Sequence, residues 1–522
     1  MKKLYYLYSL LLLSVFSYTC KDPTEDFTIQ IEPNIFKYQV QVQISEVRGA
    51  QLPANMTVTI LGPDAEAIYS SDGTKQYAVN SGLVSLAVNP KVNIDANQTL
   101  QFNVLITSPN MLDVNIPVTI TSNQHAKVLP VEVLNLANLS TPSTGFPPIA
   151  FQKPEVPVTN GTTTTDVSIG TTTQVEIPAG TVMRDETGVI IGATKLNSVL
   201  VTLNPNDATA MELFPGGSMA SNNVLDENNQ IVSGVFNPSG LAFVELNAGG
   251  VAVKTFSKPV EIDMPVTATG GTLSIYSYDV KEGQWQYETD VPVVNGRVSF
   301  TTTHLTAFAA VIFTRITGGL CSEAGFTLNG NYVTGVDYPV TIDVMSASGD
   351  VIMKSIAIVN SENRTIVISN FPATAGTSVR FFNGAGVLLG SAAAGTTSCQ
   401  NVTAVPVTFP ASTKVTMRLY VQCPGTTTNI EVIPTFFLYY SESTDPSNYI
   451  LLGIVTKGYL STTALSPSKV YNFKATWNQY TKIVPNKTVK ADNETTVGEG
   501  LDLGKNPESN LDLLTQACQD NL

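Results

Sequence analysis

The chain has 522 residues, of which 43% are hydrophobic and 13% charged, and this length predicts about three or four domains with cores of their own. Its formal net charge of −14 argues against nucleic acid as a partner, because nucleic-acid binding needs a basic surface. The composition excludes a disordered chain and a charged coiled coil.

The first twenty residues are organised as a secretory signal peptide. Lys2 and Lys3 precede an apolar run, Leu4 to Phe16, that is too short to span a membrane, and Cys20 follows a few small or hydroxyl residues later. The segment resembles bacterial lipoprotein signals, with Ser17 where an aliphatic residue is usual, as in the looser Bacteroidota-type signals. The resemblance implies removal of residues 1–19 and a lipid on Cys20, and an ordinary secreted protein is the alternative.

Residues 20–26 form the predicted lipidated tether. The stretch Lys21-Asp22-Pro23-Thr24-Glu25-Asp26 is short and acidic. It resembles the signal that sends Bacteroidota-type lipoproteins to the outer face of the outer membrane, and the alternative is a solvated tether. The resemblance implies a protein held in the outer membrane by its lipid and exposed at the cell surface.

The body of the chain begins with period-two alternation, which is typical of β-strands with one buried face. Tyr38, Val40, Val42 and Ile44 alternate with polar residues, and similar runs continue to about Leu136. We therefore predict a β-sandwich over 27–140. The Pro- and Thr-rich composition of 141–165 predicts an interdomain linker.

The block 166–316 carries the most individual motifs. Ile177-Pro178-Ala179-Gly180 opens it and Phe256-Ser257-Lys258-Pro259 crosses it. The block resembles the β domain of netrin receptors, ankyrins and zona-occludens proteins, which implies a non-catalytic protein-interaction fold. Asn295-Gly296 between apolar pairs predicts a two-residue β-hairpin.

Two further β blocks are predicted, over 317–408 and 409–522. In the first, the turn Ser346–Asp350 is followed by strands and by Asn370-Phe371-Pro372. This order resembles the transthyretin-like modules that accompany carboxypeptidases, in which the role is structural. The last block is predicted to be a β-sandwich that ends in a short helix, 510–519.

The cysteines indicate an oxidising compartment. Besides Cys20 there are four, without a Cys-x-x-Cys pair: Cys321, Cys399, Cys423 and Cys518. Four cysteines permit three pairings, and the simplest prediction joins Cys321 to Cys399 and Cys423 to Cys518. Their scatter, with only two histidines in the chain, argues against a zinc site.

Catalytic and ligand-binding signals are weak. His125 and His304 lie outside any nucleophile motif, and Glu261 with Asp263 is the nearest local carboxylate pair. The oxygen-rich stretch 502–512 lacks the spacing of a calcium loop, and no metal or cofactor is predicted. Three aromatic residues form a candidate platform on which sugar rings could stack: Trp285, Tyr439 and Trp477. For the two tryptophans the alternative is packing in the core.

These patterns together predict an all-β protein, an elongated series of tandem antiparallel β-sandwiches of immunoglobulin-like or transthyretin-like type. The predicted function is a non-enzymatic surface lipoprotein that acts as an interaction, adhesion or structural scaffold. Its partners are the membrane, through the N-terminal lipid, and a protein or glycan ligand. The alternatives are a glycan-binding component of a polysaccharide-capture system and, more remotely, an extracellular hydrolase.

Overall fold

The computed structural model describes residues 28–32, 36–71, 73–95, 99–122, 125–139, 146–158, 163–394, 399, 401–422, 429–433, 435–445, 448–477 and 480–497. Within them the protein is almost entirely β-structure, and the predicted all-β class with tandem β-sandwich domains is confirmed. Contacts divide the chain into two units. The larger comprises Phe36–Asn331 and Val340–Phe409, and the smaller comprises the described parts of Met1–Ile35, Tyr332–Pro339 and Pro410–Leu522.

The elements are numbered in chain order. The first strands are β1 (Thr28–Ile31), β2 (Gln39–Glu46), β3 (Thr57–Leu61), β4 (Ile68–Ser70), β5 (Leu83–Val88), β6 (Leu100–Thr107), β7 (Val114–Ile120) and β8 (Ala126–Val133), with 3-10 turns at Ala65–Ala67 and Leu136–Asn138. The next are β9 (Ile149–Gln152), β10 (Glu155–Pro157), β11 (Val167–Ile169), β12 (Gln174–Ile177), β13 (Met183–Arg184), β14 (Ile190–Ile191), β15 (Lys195–Leu203), helix α1 (Ala208–Met211), β16 (Ala220–Leu225), β17 (Ile231–Ala248), β18 (Val251–Val253), β19 (Thr255–Pro265), β20 (Thr272–Asp279), β21 (Gln284–Pro292), β22 (Arg297–His304) and β23 (Ala307–Arg315).

The remaining strands are β24 (Cys321–Asn329), β25 (Tyr338–Met345), β26 (Val351–Val359), β27 (Thr365–Phe371), β28 (Ser378–Asn383), β29 (Leu388–Ala393), β30 (Thr403–Pro406), β31 (Val415–Gln422), β32 (Asn429–Val432), β33 (Phe436–Glu442), β34 (Ile450–Val455), β35 (Tyr459–Thr462), β36 (Val470–Trp477), β37 (Tyr480–Thr488) and β38 (Asp492–Val497).

The first block of the larger unit packs β8-β2-β5-β4 against β3-β6-β7. Its core follows the alternation of the sequence, since Tyr38, Val40, Val42 and Ile44 are all buried. Because successive strand residues point to opposite faces, this apolar set lines the interior of the sandwich. The buried face of β2 therefore fixes the register of the block.

The second block is a sandwich of a nine-stranded sheet, built on β10-β15-β17-β16-β21-β20-β23, and a six-stranded sheet, built on β11-β12-β19-β13-β14. Val175, Ile262 and Phe308 are among the buried residues between them. Asn295 and Gly296 have φ of 53° and 70° and form the predicted two-residue turn, closed by the pairing of Val294 with Arg297. The strands that it connects, β21 and β22, belong to different sheets and are not paired as a hairpin.

The third block packs β29-β28-β25-β26 against β27-β24-β30. Its sheet does not end at the block, because β26 pairs with β8 at Ile356 and Val128. The first and third blocks therefore share one eight-stranded sheet. This differs from the separate sandwiches predicted over 27–140 and 317–408, since a shared sheet edge leaves no local mark in either sequence.

A common hydrophobic core joins the three blocks. Val47 from the first block and Ile352 from the third pack in one cluster with Phe214 and Trp285 from the second. The backbone N–H of Met219 also donates to the Ile352 carbonyl at 2.8 Å. The larger unit is thus one packed body of three β blocks.

The segment predicted as a linker, 141–165, contains two strands. In β9, Ala150, Phe151 and Gln152 are buried, and both β9 and β10 pair with β15. Pro154 and Pro157 adjoin or end the short strand β10, where a missing N–H costs little. The prolines thus lie at the ends of strands and do not mark a free linker. This corrects the prediction over 149–157.

The smaller unit has the sheets β1-β32-β31-β35, with β38 beside β31, and β34-β33-β36-β37. Val415, Leu452 and Tyr471 are among the residues of its core. The N-terminal strand belongs here: Thr28–Ile31 pairs in parallel with Asn429–Val432, and Lys457 lies 3.1 Å from Glu32. The unit therefore differs from the predicted block 409–522 by including β1, which had been assigned to 27–140.

Candidate functional site

One of the two predicted disulfides is present. Cys321 and Cys399 are bonded, with Cα atoms 5.4 Å apart. Cys321 begins β24, and Cys399 lies between β29 and β30, so the bridge ties opposite ends of the third block. Cys423 and Cys518 lie outside the described residues, as do Cys20, the stretch 502–512 and the predicted terminal helix.

Trp285 is a core residue and not a ligand platform. Its side chain is 1% exposed, and its ring lies 4.9 Å from those of Phe236 and Tyr278 and 5.2 Å from that of Phe214. Burial of this size makes a large aromatic ring an anchor for packing. The core interpretation is correct for Trp285.

Tyr439, a second residue of the predicted platform, is also inaccessible. Its side chain is 0% exposed and its hydroxyl forms no hydrogen bond within the described part of the chain, and burial raises its pKa. Trp477 is the last residue of β36, and its side chain is outside the described part. A ring enclosed like that of Tyr439 has no face on which a sugar could stack, so neither Trp285 nor Tyr439 serves as a stacking ring.

His304 takes part in a hydrogen-bonded array that resembles a hydrolytic triad. Its Nδ1 lies 3.1 Å from the Thr302 hydroxyl, and its Nε2 lies 3.3 Å from Glu288. The Thr302 side chain is buried, however, and its hydroxyl also donates to the His304 carbonyl. A nucleophile must be reachable by a substrate, so this array fits a structural role. His125 stacks on Tyr38.

A cleft with a volume of about 750 Å³ lies where the three blocks of the larger unit meet. Helix α1 and the turn after it supply Met211, Glu212 and Phe214, and this helix is capped by Asp207, whose side chain accepts from the Ala210 N–H. The first block contributes Glu132, and the third contributes Lys354. The cleft is thus lined by side chains far apart in the sequence.

Charged side chains from all three blocks gather in this cleft. Lys354 forms an ion pair with Glu212, and although burial lowers the pKa of Lys354, this bond raises it overall. Burial and the charges of Glu212 and Glu46 raise the pKa of Glu132 to about 7, against the opposing effect of Lys354. Burial likewise raises the pKa of Asp343, which interacts with Lys354 and Glu212 but does not line the cleft. Glu132 is therefore poised to bind or release a proton near neutrality.

A second pair of carboxyl groups adjoins the cleft. Asp113 lines it, and burial raises the pKa of Asp113, although Lys254 opposes the shift. Burial raises the pKa of Glu245 as well, with a further contribution from Asp113. Both residues are nevertheless exposed at the surface, so these shifts do not identify a buried carboxyl pair.

Sequence reasoning missed this cluster. Glu261 and Asp263, the local pair considered instead, do not act together: Asp263 is bound to Arg297 and to Ser299, while Glu261 is exposed. The groups that do meet, Glu132 and Glu212, lie on separate blocks. No spacing in the chain signals that contact, because it depends on how the blocks pack.

Neither metal coordination nor a helical membrane span is found in the part of the chain that the structure describes. No three His, Cys, Asp or Glu side chains converge there as metal ligands, and no described helix has the length and hydrophobicity that a bilayer crossing requires.

Searches of protein-family models and of curated proteins find no match. Among solved structures, the Bacillus anthracis TIE protein aligns at 11% identity and a TM-score of 0.14, over 68% of this chain and 58% of that one. BcpA, the major pilin subunit of Bacillus cereus, aligns at 8% identity and a TM-score of 0.14, over 71% of this chain and 98% of that one. SpaC, a pilus adhesin from Lactobacillus rhamnosus GG, aligns at 9% identity and a TM-score of 0.13, over 67% of this chain and 55% of that one. This chain thus spans little more than half of the TIE protein and SpaC, and scores this low establish no shared fold.

Proposed function

We propose that this protein is a non-enzymatic lipoprotein, held in the outer membrane by a lipid on Cys20 and exposed at the cell surface, where its β blocks form an interaction or adhesion scaffold. The netrin-receptor-like and transthyretin-like resemblances of 166–316 and 317–408 are part of this proposal. Both imply interaction or structural roles.

The observation that carries the proposal is the common core of the larger unit. Val47, Phe214 and Ile352 pack together from three blocks, and the Cys321–Cys399 bridge secures the third. A scaffold must present its surface in a constant arrangement, and blocks that share a core and a sheet cannot move independently. The signal-like first twenty residues and the acidic stretch 21–26 support the proposed location in the outer membrane at the cell surface.

Metabolic labelling tests the anchor. Cells given a labelled fatty acid are expected to label the wild-type protein and not Cys20→Ala. Several acyl chains are needed, because one gives only marginal membrane binding. Equal labelling of both proteins would reject the lipoprotein assignment.

Surface display and binding need a separate experiment. Protease added to intact cells should digest the wild type, and the full-length chain in detergent should bind a component of a glycan and matrix-protein panel without consuming it. Hydrolysis of a glycan or peptide by the pure protein would reject the non-enzymatic assignment.

A further inference from the structure

We propose that the open edge of strand β22 pairs with the same strand of a second copy of this chain, so that two copies form one continuous antiparallel sheet. β22 belongs to the six-stranded sheet of the second block, where β19 is its only paired strand among the described residues. The inference goes beyond the proposed function, because it names a partner and does not depend on the lipid.

The backbone of β22 is hydrogen-bonded on one side and open on the other. The N–H of Val266 donates to the Gly296 carbonyl at 2.9 Å, and the register extends this hydrogen-bonded pairing to every second residue of the strand. Val298, Phe300 and Thr302 therefore bond to β19, whereas the N–H and C=O groups of the alternate residues point away from it. These outward residues are all exposed: Ser299, Thr301 and Thr303.

The open edge has defined ends. Val294 pairs with Arg297 at the turn before β22, but β21 lies in the other sheet and leaves the edge uncovered from Ser299 onward. After β22, the Leu305 N–H donates to the Lys254 carbonyl at 3.2 Å, and β23 continues in the nine-stranded sheet. The outward N–H and C=O groups between these ends are therefore available to a partner strand.

This edge lacks the features that protect exposed strands from pairing. Protected edges are very short or carry a proline or a lysine. β21 has Pro292, and β37, at the edge of a sheet of the smaller unit, has Pro485 and Lys482. β22 has no proline or lysine, and its Arg297 is held by Asp263. A strand of this kind is suited to accept another strand.

The pattern of the edge fits an identical strand. With a two-fold axis beside Thr301, the two copies of Thr301 exchange both backbone hydrogen bonds, and Ser299 pairs with Thr303 of the second copy. The side chains that then meet are Thr–Thr and Ser–Thr pairs, which are favourable across strands. Every outward residue of both copies is used in this register, whereas a shifted centre leaves some of them unpaired.

A second copy fits this edge better than a foreign peptide does. Peptides that add to a sheet edge are recognised through pockets for their alternate side chains. The side chains on the exposed positions of β22 are small hydroxyl groups, which leave no pocket between them. An identical strand needs no pocket, because its own hydroxyl side chains match those of the edge.

The contact is small, so we expect a weak dimer. One strand from each copy takes part, which is less than the roughly 1,200–2,000 Å² of a standard interface. The chain also has a formal net charge of −14, so two copies repel each other at low salt. We therefore expect a dissociation constant of about 100 µM that decreases as the salt concentration rises.

Sedimentation equilibrium of the full-length chain in density-matched detergent, from about 5 to 500 µM, tests the dimer. Thr301→Pro removes an N–H that β19 does not use, so the sheet keeps its hydrogen bonds while the dimer loses two. Its dissociation constant should rise about tenfold or more. The control Thr301→Val keeps the N–H and should dimerise like the wild type, and circular dichroism verifies that both variants fold.

Hydrogen exchange locates the contact in the wild type and needs no variant. The N–H groups of Ser299, Thr301 and Thr303 should exchange about threefold more slowly at the highest concentration than at the lowest, because most chains are then paired. The N–H groups of Val298 and Phe300 bond to β19 and should be slow at both concentrations.

Three results would overturn the proposal. These are a wild type that stays monomeric throughout the range, a Thr301→Pro variant that associates like the wild type, and concentration-dependent protection that falls on another strand. None of them affects the Cys20 labelling, so failure here is distinct from failure of the proposed function.

Discussion

Phe214 packs its ring against that of Trp285, with the two centroids 5.2 Å apart, inside the core shared by three β blocks. Residues from different blocks complete this core, so its integrity concerns the whole larger unit and not only the block that contains both rings.

We expect Phe214→Ala to lower the free energy of unfolding of the larger unit by about 3–5 kcal/mol, because it leaves a cavity in a packed interior. Hydrogen exchange should show lost protection in β2, β17 and β26 together, while β33 and β36 of the smaller unit keep theirs. Loss of protection confined to β17 would contradict the shared core.

The Cys321–Cys399 bridge should contribute strongly to stability. It closes a loop with a sequence separation of 78, for which the chain-entropy model gives about 4 kcal/mol. The double variant Cys321→Ser, Cys399→Ser should therefore unfold at lower denaturant concentration. Reductant should lower the midpoint of the larger unit in the wild type but not in the variant, and a variant whose larger unit is as stable as that of the oxidised wild type would refute the estimate.

Glu132 should make the larger unit less stable as the pH rises. Its pKa is 4.5 in the unfolded chain and about 7 when folded, so the folded state holds more protons between these values. Stability therefore falls across that window, by at most about 3 kcal/mol, and this contribution is constant above it.

Denaturant titrations between about pH 5 and 8 measure this slope. Glu132→Gln should flatten it, since the amide does not titrate, whereas Glu261→Gln should retain it. Equal slopes in the two variants would assign the pH dependence to other groups.

Two glycines form a matched test of backbone crowding. Gly170 and Gly188 have φ of +87° and +82°, so alanine is strained at both. A Cβ at Gly188 meets nothing within 4 Å, whereas one at Gly170 collides with the Thr173 carbonyl and lies 2.5 Å from Leu200 Cδ1. Chemical denaturation should show a loss of about 1 kcal/mol for Gly188→Ala and about 1–3 kcal/mol more for Gly170→Ala. Equal losses of stability would mean that Thr173 and Leu200 can move away from the added Cβ at no energetic cost.

The sequence was most informative where structure is local. The alternation from Tyr38 to Ile44 predicted a buried strand face, and Asn295-Gly296 predicted a turn through the positive φ that both positions adopt. These signals need only the residues themselves and the geometry of a strand or turn.

The parts that could not be predicted depend on non-local packing. Glu132 and Glu212 lie on different blocks and become neighbours only after the shared core forms. The pairing of Val128 with Ile356 could not be predicted either, because each strand has an ordinary composition and the core fixes the register between the blocks. The platform residue Tyr439 shows the converse, since a run of aromatics indicates a strand but not which rings are enclosed.

Because β1 pairs with β32, the first strand stays unpaired during synthesis until its partner has been made. Thr28 lies beside Asn429, about 400 residues later, so the first strand is made long before its partner. At the usual 5–20 residues per second, roughly 20–80 s of synthesis separate the two. Until then the strand Thr28–Ile31 has unsatisfied N–H and C=O groups that other chains could pair with. A strand synthesised late is thus the one that shields the first strand.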